Sequence, residues 1–348
     1  MDIKPIQHPA AWTAIELPPK REFSISIDER HVLEFDRALI KAREAGASLE
    51  TLASHNFPLG NIAEEVADWR TRLVTGVGLV LLRNFPIERY SIQDLEMIYL
   101  GLGCHLGVPV SQSNLGDRVG HVINIGGDDR RERAYRNSRE LSLHTDRCDY
   151  IGMLCLRPSR TGGVSGYASA IAVHNRILST RPELLGPLYE GYRLHRFGEQ
   201  LPGESPVTDH PVPVFSFSDG WPNVVYIRGY IDLAVDEKHY ELSDLQLEAL
   251  DYFDELAHSE EFCFDTMLEP GELAFTNNCL LLHRRTAFED YQEDAKRRHL
   301  LRLWLVDPSR PIAEAANRHK NIHGIEKIKG GGTYYDGPGY TSPSETRY

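Results

Sequence analysis

From Gly76 onward the chain breaks into short apolar runs rich in β-forming residues, each bounded by turn residues, and this punctuation constrains the fold more than any other feature. Val77 to Leu82 is ended by Arg83-Asn84-Phe85-Pro86. Similar runs recur at Val122 to Ile125, Ile151 to Leu156, Val212 to Phe217, Val224 to Ile227, Phe262 to Phe264, Leu273 to Thr276 and Leu300 to Val306. Strands this short and numerous, with no alternating βαβ rhythm and no internal repeat, predict a β-sandwich or barrel. Helical patterns flank and interrupt the series: Ile27 to Ala47, Asn61 to Thr75 with Asn61 as the expected cap, Ser91 to Leu102, Ser169 to Ser179, and Ser243 to His258.

Charge narrows the partners. The 348 residues hold 38 Lys and Arg against 51 Asp and Glu, a net charge of −13, which argues against a partner held by its phosphates. The one dense basic cluster, Arg130, Arg131 and Arg133 followed by Arg136 and Arg139, reads as a surface loop that could form a lid. No window approaches the ~18 apolar residues of a membrane span, and Met1-Asp2-Ile3-Lys4 does not open a signal peptide, so a cytoplasmic protein is expected. The five cysteines, Cys104, Cys148, Cys155, Cys263 and Cys279, share no C-x-x-C spacing and read as reduced, packed thiols.

The segment with chemistry in it is Leu141-Ser142-Leu143-His144-Thr145-Asp146. At period two, His144 and Asp146 point to one side of an extended backbone, so an imidazole and a carboxylate can converge on one ion. His283, at the end of the run from Glu272, is a candidate third ligand. Two imidazoles and a carboxylate on one face leave three octahedral positions open, as in non-haem Fe(II) oxygenases. H-x-D alone is a weak signal, and lone histidines such as His174, His195, His210 and His239 read as ordinary structural residues. What strengthens it is Arg298 and Arg302, four apart in an apolar strand and facing the same way. An arginine there is costly to bury unless a carboxylate meets it, and an organic acid is one candidate.

At these positions the chain resembles the TauD/TfdA-like Fe(II)- and 2-oxoglutarate-dependent dioxygenases, relatives of γ-butyrobetaine hydroxylase and clavaminate synthase. The resemblance rests on four places in the family's order: His144-Thr145-Asp146, Gly162-Gly163-Val164-Ser165, Pro270-Gly271-Glu272 leading through Asn277 to His283, and Arg298 to Arg302. It implies a double-stranded β-helix, a cupin-like jelly roll with helices outside. It implies His144, Asp146 and His283 as iron ligands, Arg302 as the partner of the remote carboxylate of 2-oxoglutarate, Ser165 as a hydroxyl helping to hold that cosubstrate, and Arg298 as a further cation near the pocket. Gln112 and Asn124 resemble polar positions near the family's pocket, but a strand-end hydrogen bond is the preferred reading of both.

The implied reaction converts 2-oxoglutarate and O2 to succinate and CO2 and hydroxylates an unactivated C–H bond of a small molecule such as an amino acid derivative, a betaine-like acid or a natural-product intermediate. Asp146 disfavours halogenation, because it fills the position a halide would need. Two other readings use the same triad, a non-catalytic metal-binding jelly-roll module and a metal-dependent hydrolase; neither needs Arg302. Since His144 and His283 lie 283 − 144 = 139 residues apart yet must meet, one elaborated domain is expected, with a helical part over 1–75, a jelly-roll core over 76–310 and a Gly-rich arm over 311–348. A small-molecule partner is expected, with no nucleic acid and no membrane, and the sequence leaves a homo-oligomer open.

Overall fold

The computed structural model describes residues 3–124, 134–200, 203–312, 314, 316 and 324–327. After a short helix, α1 (Lys20–Phe23), comes α2 (Glu29–Glu44). Its start is closed by Asp28, whose carboxylate accepts the Arg30 and His31 amides, and it buries Phe35, Ala38, Leu39 and Ala42 at the three-to-four spacing of one helical face. In α3 (Ala63–Val74) the buried positions are Val66, Trp69 and Leu73. Asn61 does not cap it. The cap position is Ile62, and the Asn61 side chain instead donates to Glu34 Oε1 at 3.0 Å, tying the entry of α3 to α2. The next helix, α4 (Ile92–Gly103), is capped by Ser91, whose hydroxyl accepts the Asp94 amide.

The larger sheet has the order β1 (Ile25–Ser26), β2 (Leu79–Arg83), β12 (Leu273–Asn277), β6 (Tyr150–Arg157), β15 (His299–Val306), β3 (Val108–Val110), with β4 (Val119–Ile123) also on β15. The smaller has the order β11 (Cys263–Thr266), β8 (Ser165–Ser169), β13 (Leu281–Arg285), β5 (Leu141–His144). Two ribbons complete the set, β7 (Thr161–Gly162) with β14 (Phe288–Glu289) and β9 (Phe215–Ser218) with β10 (Trp221–Val224).

One core takes Leu81, Cys155, Ala274 and Leu300 from the larger sheet and Leu143 and Tyr167 from the smaller, and it extends into α5 (Ala170–Thr180), α6 (Leu185–Glu190) and α8 (Asp244–His258). The other face of the larger sheet, with Val80, Leu154, Phe275, Leu301, Leu303 and Leu305, is covered by α2, α3 and α4. This is a double-stranded β-helix with helices on its outside.

Most of the expected elements are present, with shifts that have local causes. Pro213 lacks an amide for a ladder, and β9 starts beyond it at Phe215. The run expected to stay extended through Ile227 ends at Val224, because α7 (Arg228–Asp236) begins next to it. Arg130 to Arg133 and the Gly-rich stretch from Lys329 lie outside the described residues. All five cysteines are free thiols, four of them buried. Among the described residues, no helix is long and apolar enough to cross a membrane.

Candidate active site

Antiparallel pairing of β5 with β13 sets His144 directly opposite His283, with ring centroids 4.3 Å apart. Asp146 follows β5 by two residues and points to the same place: its Oδ1 is 3.7 Å from His144 Nε2 and its Oδ2 is 3.8 Å from His283 Nε2. The three ligand atoms lie within 4.8 Å of one another. His144 Nδ1 is 2.8 Å from the Ser142 carbonyl, which can only accept, so the ring proton sits on Nδ1 and the Nε2 lone pair faces the centre.

Protonation states suit a metal. Burial pushes His283 down to about 3, helped by His144, so its imidazole is neutral near pH 7. Burial works against the Asp146 charge, but the Arg302 guanidinium and the two imidazoles overcome it and hold the carboxyl below the ordinary range. Two imidazoles and an ionised carboxylate on one face are a donor set for Fe(II). Trp304 adds an orienting contact, its indole N–H donating to Asp146 Oδ2 at 2.9 Å.

His195, Glu237 and His239 form a second cluster among the described residues. There the Phe197 amide donates to His195 Nδ1 at 2.9 Å, so the proton sits on Nε2, 3.2 Å from Glu237 Oε2. That nitrogen is a donor to the carboxylate rather than a lone pair for an ion, in keeping with the structural role expected of His195.

The two arginines of the β15 segment share an inward face but not an environment. Arg302 is held from both ends by Gln112: its Nε donates to Gln112 Oε1 at 2.7 Å, and Gln112 Nε2 donates to the Arg302 carbonyl at 2.8 Å. Its guanidinium lies 4.3 Å from the Tyr135 ring centroid and 5.1 Å from that of Trp304, with one nitrogen 3.7 Å from Asp146 Oδ2. Gln112, for which a strand-end bond was the preferred expectation, instead orients a cation of the chamber wall.

Arg298, 3% exposed, stacks on Phe288 at 5.1 Å, and its backbone amide donates to Asp290 Oδ1. Among the described residues its guanidinium has no hydrogen-bond acceptor, and burial pushes its pKa down to about 10. The Gly162-Gly163 turn closes against it. Both glycines have positive φ, 68° and 72°, and a Cβ on Gly163 would lie 2.6 Å from Ser159 Oγ and 3.2 Å from Arg298 Nε. Ser165 follows at the start of β8, buried, with its Cα opposite Arg285.

A chamber of about 800 Å³ opens onto the triad. His144, Asp146, Arg302 and Trp304 form one side of it, and Phe197 and Tyr230 are stacked with ring centroids 5.6 Å apart on another. Arg298 and Ser165 are not part of its lining. The start of α7 and the residue before it add Ile227, Arg228, Gly229 and Tyr230 to the lining. Cys148 is buried with Trp304 and Ile151, the packing role expected of it. Sequence reasoning did not single out Trp304, Tyr135 or Phe197. For Trp304 the signal was parity, two residues beyond Arg302; for Tyr135 and Phe197 there was none.

Residues 43–304 match the family described as taurine catabolism dioxygenase TauD, TfdA family. The chain belongs to this family. As a member it is an enzyme, a dioxygenase working with Fe(II), 2-oxoglutarate and O2. FR-33289 synthase of Streptomyces rubellomurinus (strain ATCC 31215) is 29% identical over 324 residues, 91% of this chain and 95% of that protein. The taurine hydroxylase-like protein SAT17 of Stachybotrys chartarum (strain CBS 109288 / IBT 7711) is 26% identical over 311 residues, 85% and 78%. The same fold is found in asparagine oxygenase in complex with Fe(II), 2S,3S-3-hydroxyasparagine and succinate, with a TM-score of 0.63 and 19% identity over 82% of this chain and 93% of that one. The non-heme iron oxygenase OrfP, in complex with Fe and alpha-ketoglutaric acid, has a TM-score of 0.60 and 15% identity, covering 81% and 94%.

Proposed function

We propose that this dioxygenase hydroxylates a small, anion-bearing metabolite, with Arg298 receiving the remote carboxylate of 2-oxoglutarate and Arg302 facing the substrate. The observation that supports this division is the contrast between the two cations. Arg298 is buried outside the chamber, against the Gly162-Gly163 turn, with no acceptor for its guanidinium among the described residues. Arg302 lines the chamber beside Asp146 and is already oriented by Gln112. Four residues of strand, about 13 Å, separate their Cα atoms, so one small diacid does not need both. This exchanges the roles expected from the sequence, which gave the remote carboxylate to Arg302.

His144, Asp146 and His283 would hold the iron, with Trp304 fixing the carboxylate and the Ser142 carbonyl fixing the His144 tautomer. When bound, the iron couples oxidative decarboxylation of 2-oxoglutarate to succinate and CO2 with insertion of one oxygen atom into a C–H bond. The protein's share is placement. Arg298 and Ser165 hold the cosubstrate by its far end, Arg302 pairs with the substrate's acid group, and the stacked Phe197 and Tyr230 limit where its carbon chain can lie. An amino acid derivative is the leading class. Structures of the same fold contain hydroxylated asparagine and hydroxylated arginine, both amino acids. The hydrolase and non-catalytic readings have no use for a buried Arg298 awaiting a carboxylate.

The test compares Arg298→Met with Arg302→Met. Arg298→Met should raise the 2-oxoglutarate concentration needed to form the anaerobic iron complex by about tenfold or more, from loss of a charged hydrogen bond of ~1.5–3 kcal/mol. Arg302→Met should leave that affinity within about threefold of wild type, while removing the succinate release that small acids stimulate in a metabolite screen. The opposite pattern would restore the remote carboxylate to Arg302.

A further inference from the structure

Well beyond β15, the chain comes back to the sheet that carries Arg302 and Trp304. β3 ends its side of the larger sheet, and just past it Gly324 pairs with Ser111 in a parallel bridge, with the Ile325 amide donating to the Ser111 carbonyl at 3.0 Å. Gly324 permits this approach. Its φ is 80°, and a Cβ on it would lie 2.5 Å from the Ser111 nitrogen and 2.6 Å from the Ser111 oxygen.

The register decides which way Ile325 faces. Val110 is opposite Trp304 in the pairing of β3 with β15. Side chains alternate along extended backbone, so Val110 shares a face with Trp304 and Arg302, and a bridge at Ser111 puts Ile325, one residue past Gly324, on that face as well. Burial agrees with this placement: Ile325 is 4% exposed and belongs to a small apolar cluster with Val110, Cys148, Ile151, Trp304 and Val306. Trp304 is the member whose indole N–H donates to Asp146 Oδ2. A hydrogen bond weakens steeply as its angle closes, so the packing that fixes the ring also fixes the strength of that bond.

We propose that Ile325 is a positioning residue of the iron site, packed with Trp304 so that the indole N–H stays on Asp146, and that the bridge from Gly324 to Ser111 is the strap that holds it there. The inference rests on the reading of His144, Asp146 and His283 as the iron ligands. It draws part of the arm expected over 311–348 into the scaffold of the active site.

The experiment is a double-mutant cycle in the full-length protein, read as Co(II) affinity by competition titration with the urea midpoint measured alongside. Ile325→Ala should weaken Co(II) about three- to tenfold, less than Trp304→Phe does, because the donor is loosened rather than removed. In the Trp304→Phe background the same substitution should change affinity by less than about twofold, since the donor it positions is gone. If Ile325→Ala does not accumulate folded, Gly324→Ala carries the same comparison: its Cβ lifts the strap from Ser111 while the Ile325 side chain is kept. A lower urea midpoint with unchanged Co(II) affinity, an equal loss of affinity in both backgrounds, or a Trp304→Phe protein that binds as wild type does would each overturn the inference and leave the triad assignment standing. If Asp146→Ala binds Co(II) as tightly as wild type, the triad assignment itself fails, and the inference with it.

Discussion

At the scale of single residues, the candidate iron site of His144, Asp146 and His283 owes its order to contacts one step removed. Asp146 is fixed by the indole of Trp304, 158 positions away in the chain, and His144 by the carbonyl of Ser142, two positions away. Trp304→Phe keeps the ring but removes the donor, so affinity for Fe(II), or for Co(II) as a probe, should fall about 10- to 100-fold by competition titration, the usual cost of losing an orienting contact to a metal ligand. Unchanged affinity would mean that Asp146 needs no support. His144 and Asp146 were legible in the sequence because a two-residue spacing on extended backbone is a local property. Trp304 was not, because its role depends on β15 crossing beside the residues that follow β5. The arginines were half legible: parity put Arg298 and Arg302 on one face, while their different neighbours, Phe288 and the glycine turn against Gln112 and Tyr135, come from distant segments.

Elements were read best where the signal is local. The helices at α2, α4 and α8 announced themselves through apolar spacing, with Ser91 and Ser243 marking the starts of the last two. Strands β8 and β13 did not. Ser165-Gly166-Tyr167-Ala168-Ser169 is poor in β-forming residues, and Leu281 to Arg285 ends in His-Arg-Arg, where His283 faces Asp146 and Arg284 pairs with Asp265. The turn before β8 carries its own prediction. Gly163→Ala forces a Cβ against Ser159 and Arg298 at a φ that disfavours it, so it should destabilise the fold by about 1 kcal/mol or more and weaken 2-oxoglutarate binding with little effect on metal affinity. Urea unfolding and the two titrations check it, and a loss of metal affinity as large as that of cosubstrate would contradict the local account.

Strand β15 also begins with a pH-sensitive group. Burial, the neighbouring His121 ring and the Arg157 guanidinium push His299 down to about 4. Unfolded, it titrates near its ordinary value of about 6.5, so between those values the unfolded chain binds more protons. The stability present above about pH 6.5 is therefore lost as pH falls toward about 4, and His299→Gln should make the fall in urea midpoint over that window shallower. An unaltered slope would assign the acid sensitivity to other groups.

Over the whole molecule, the sheets bring together residues from four stretches of chain, at 144–146, 162–165, 283–288 and 298–304, and the outer helices hold the larger sheet in shape. In α4, Gly101 is where helix and loop approach closest, since a Cβ there would meet the Phe57 ring at 2.4–2.6 Å. Gly101→Ala should cost about 1–3 kcal/mol by overpacking, read as a lower urea midpoint, even though it lies on the opposite side of the sheet from the triad. The acidic excess and the strand series were evident in the sequence at this scale. The chamber was not, because its wall at Phe197 and Tyr230 is built from irregular and helical segments with no periodic signature.

Binding of iron by His144, Asp146 and His283, with 2-oxoglutarate on that iron, underlies every role assigned to the other residues. The direct measurement is visible absorption of the Fe(II)-loaded protein, without oxygen, as 2-oxoglutarate is added. A charge-transfer band that saturates when cosubstrate and iron are equimolar, and that is missing in Asp146→Ala, is the predicted result. An iron-loaded wild-type protein that shows no band at any 2-oxoglutarate concentration would contradict it.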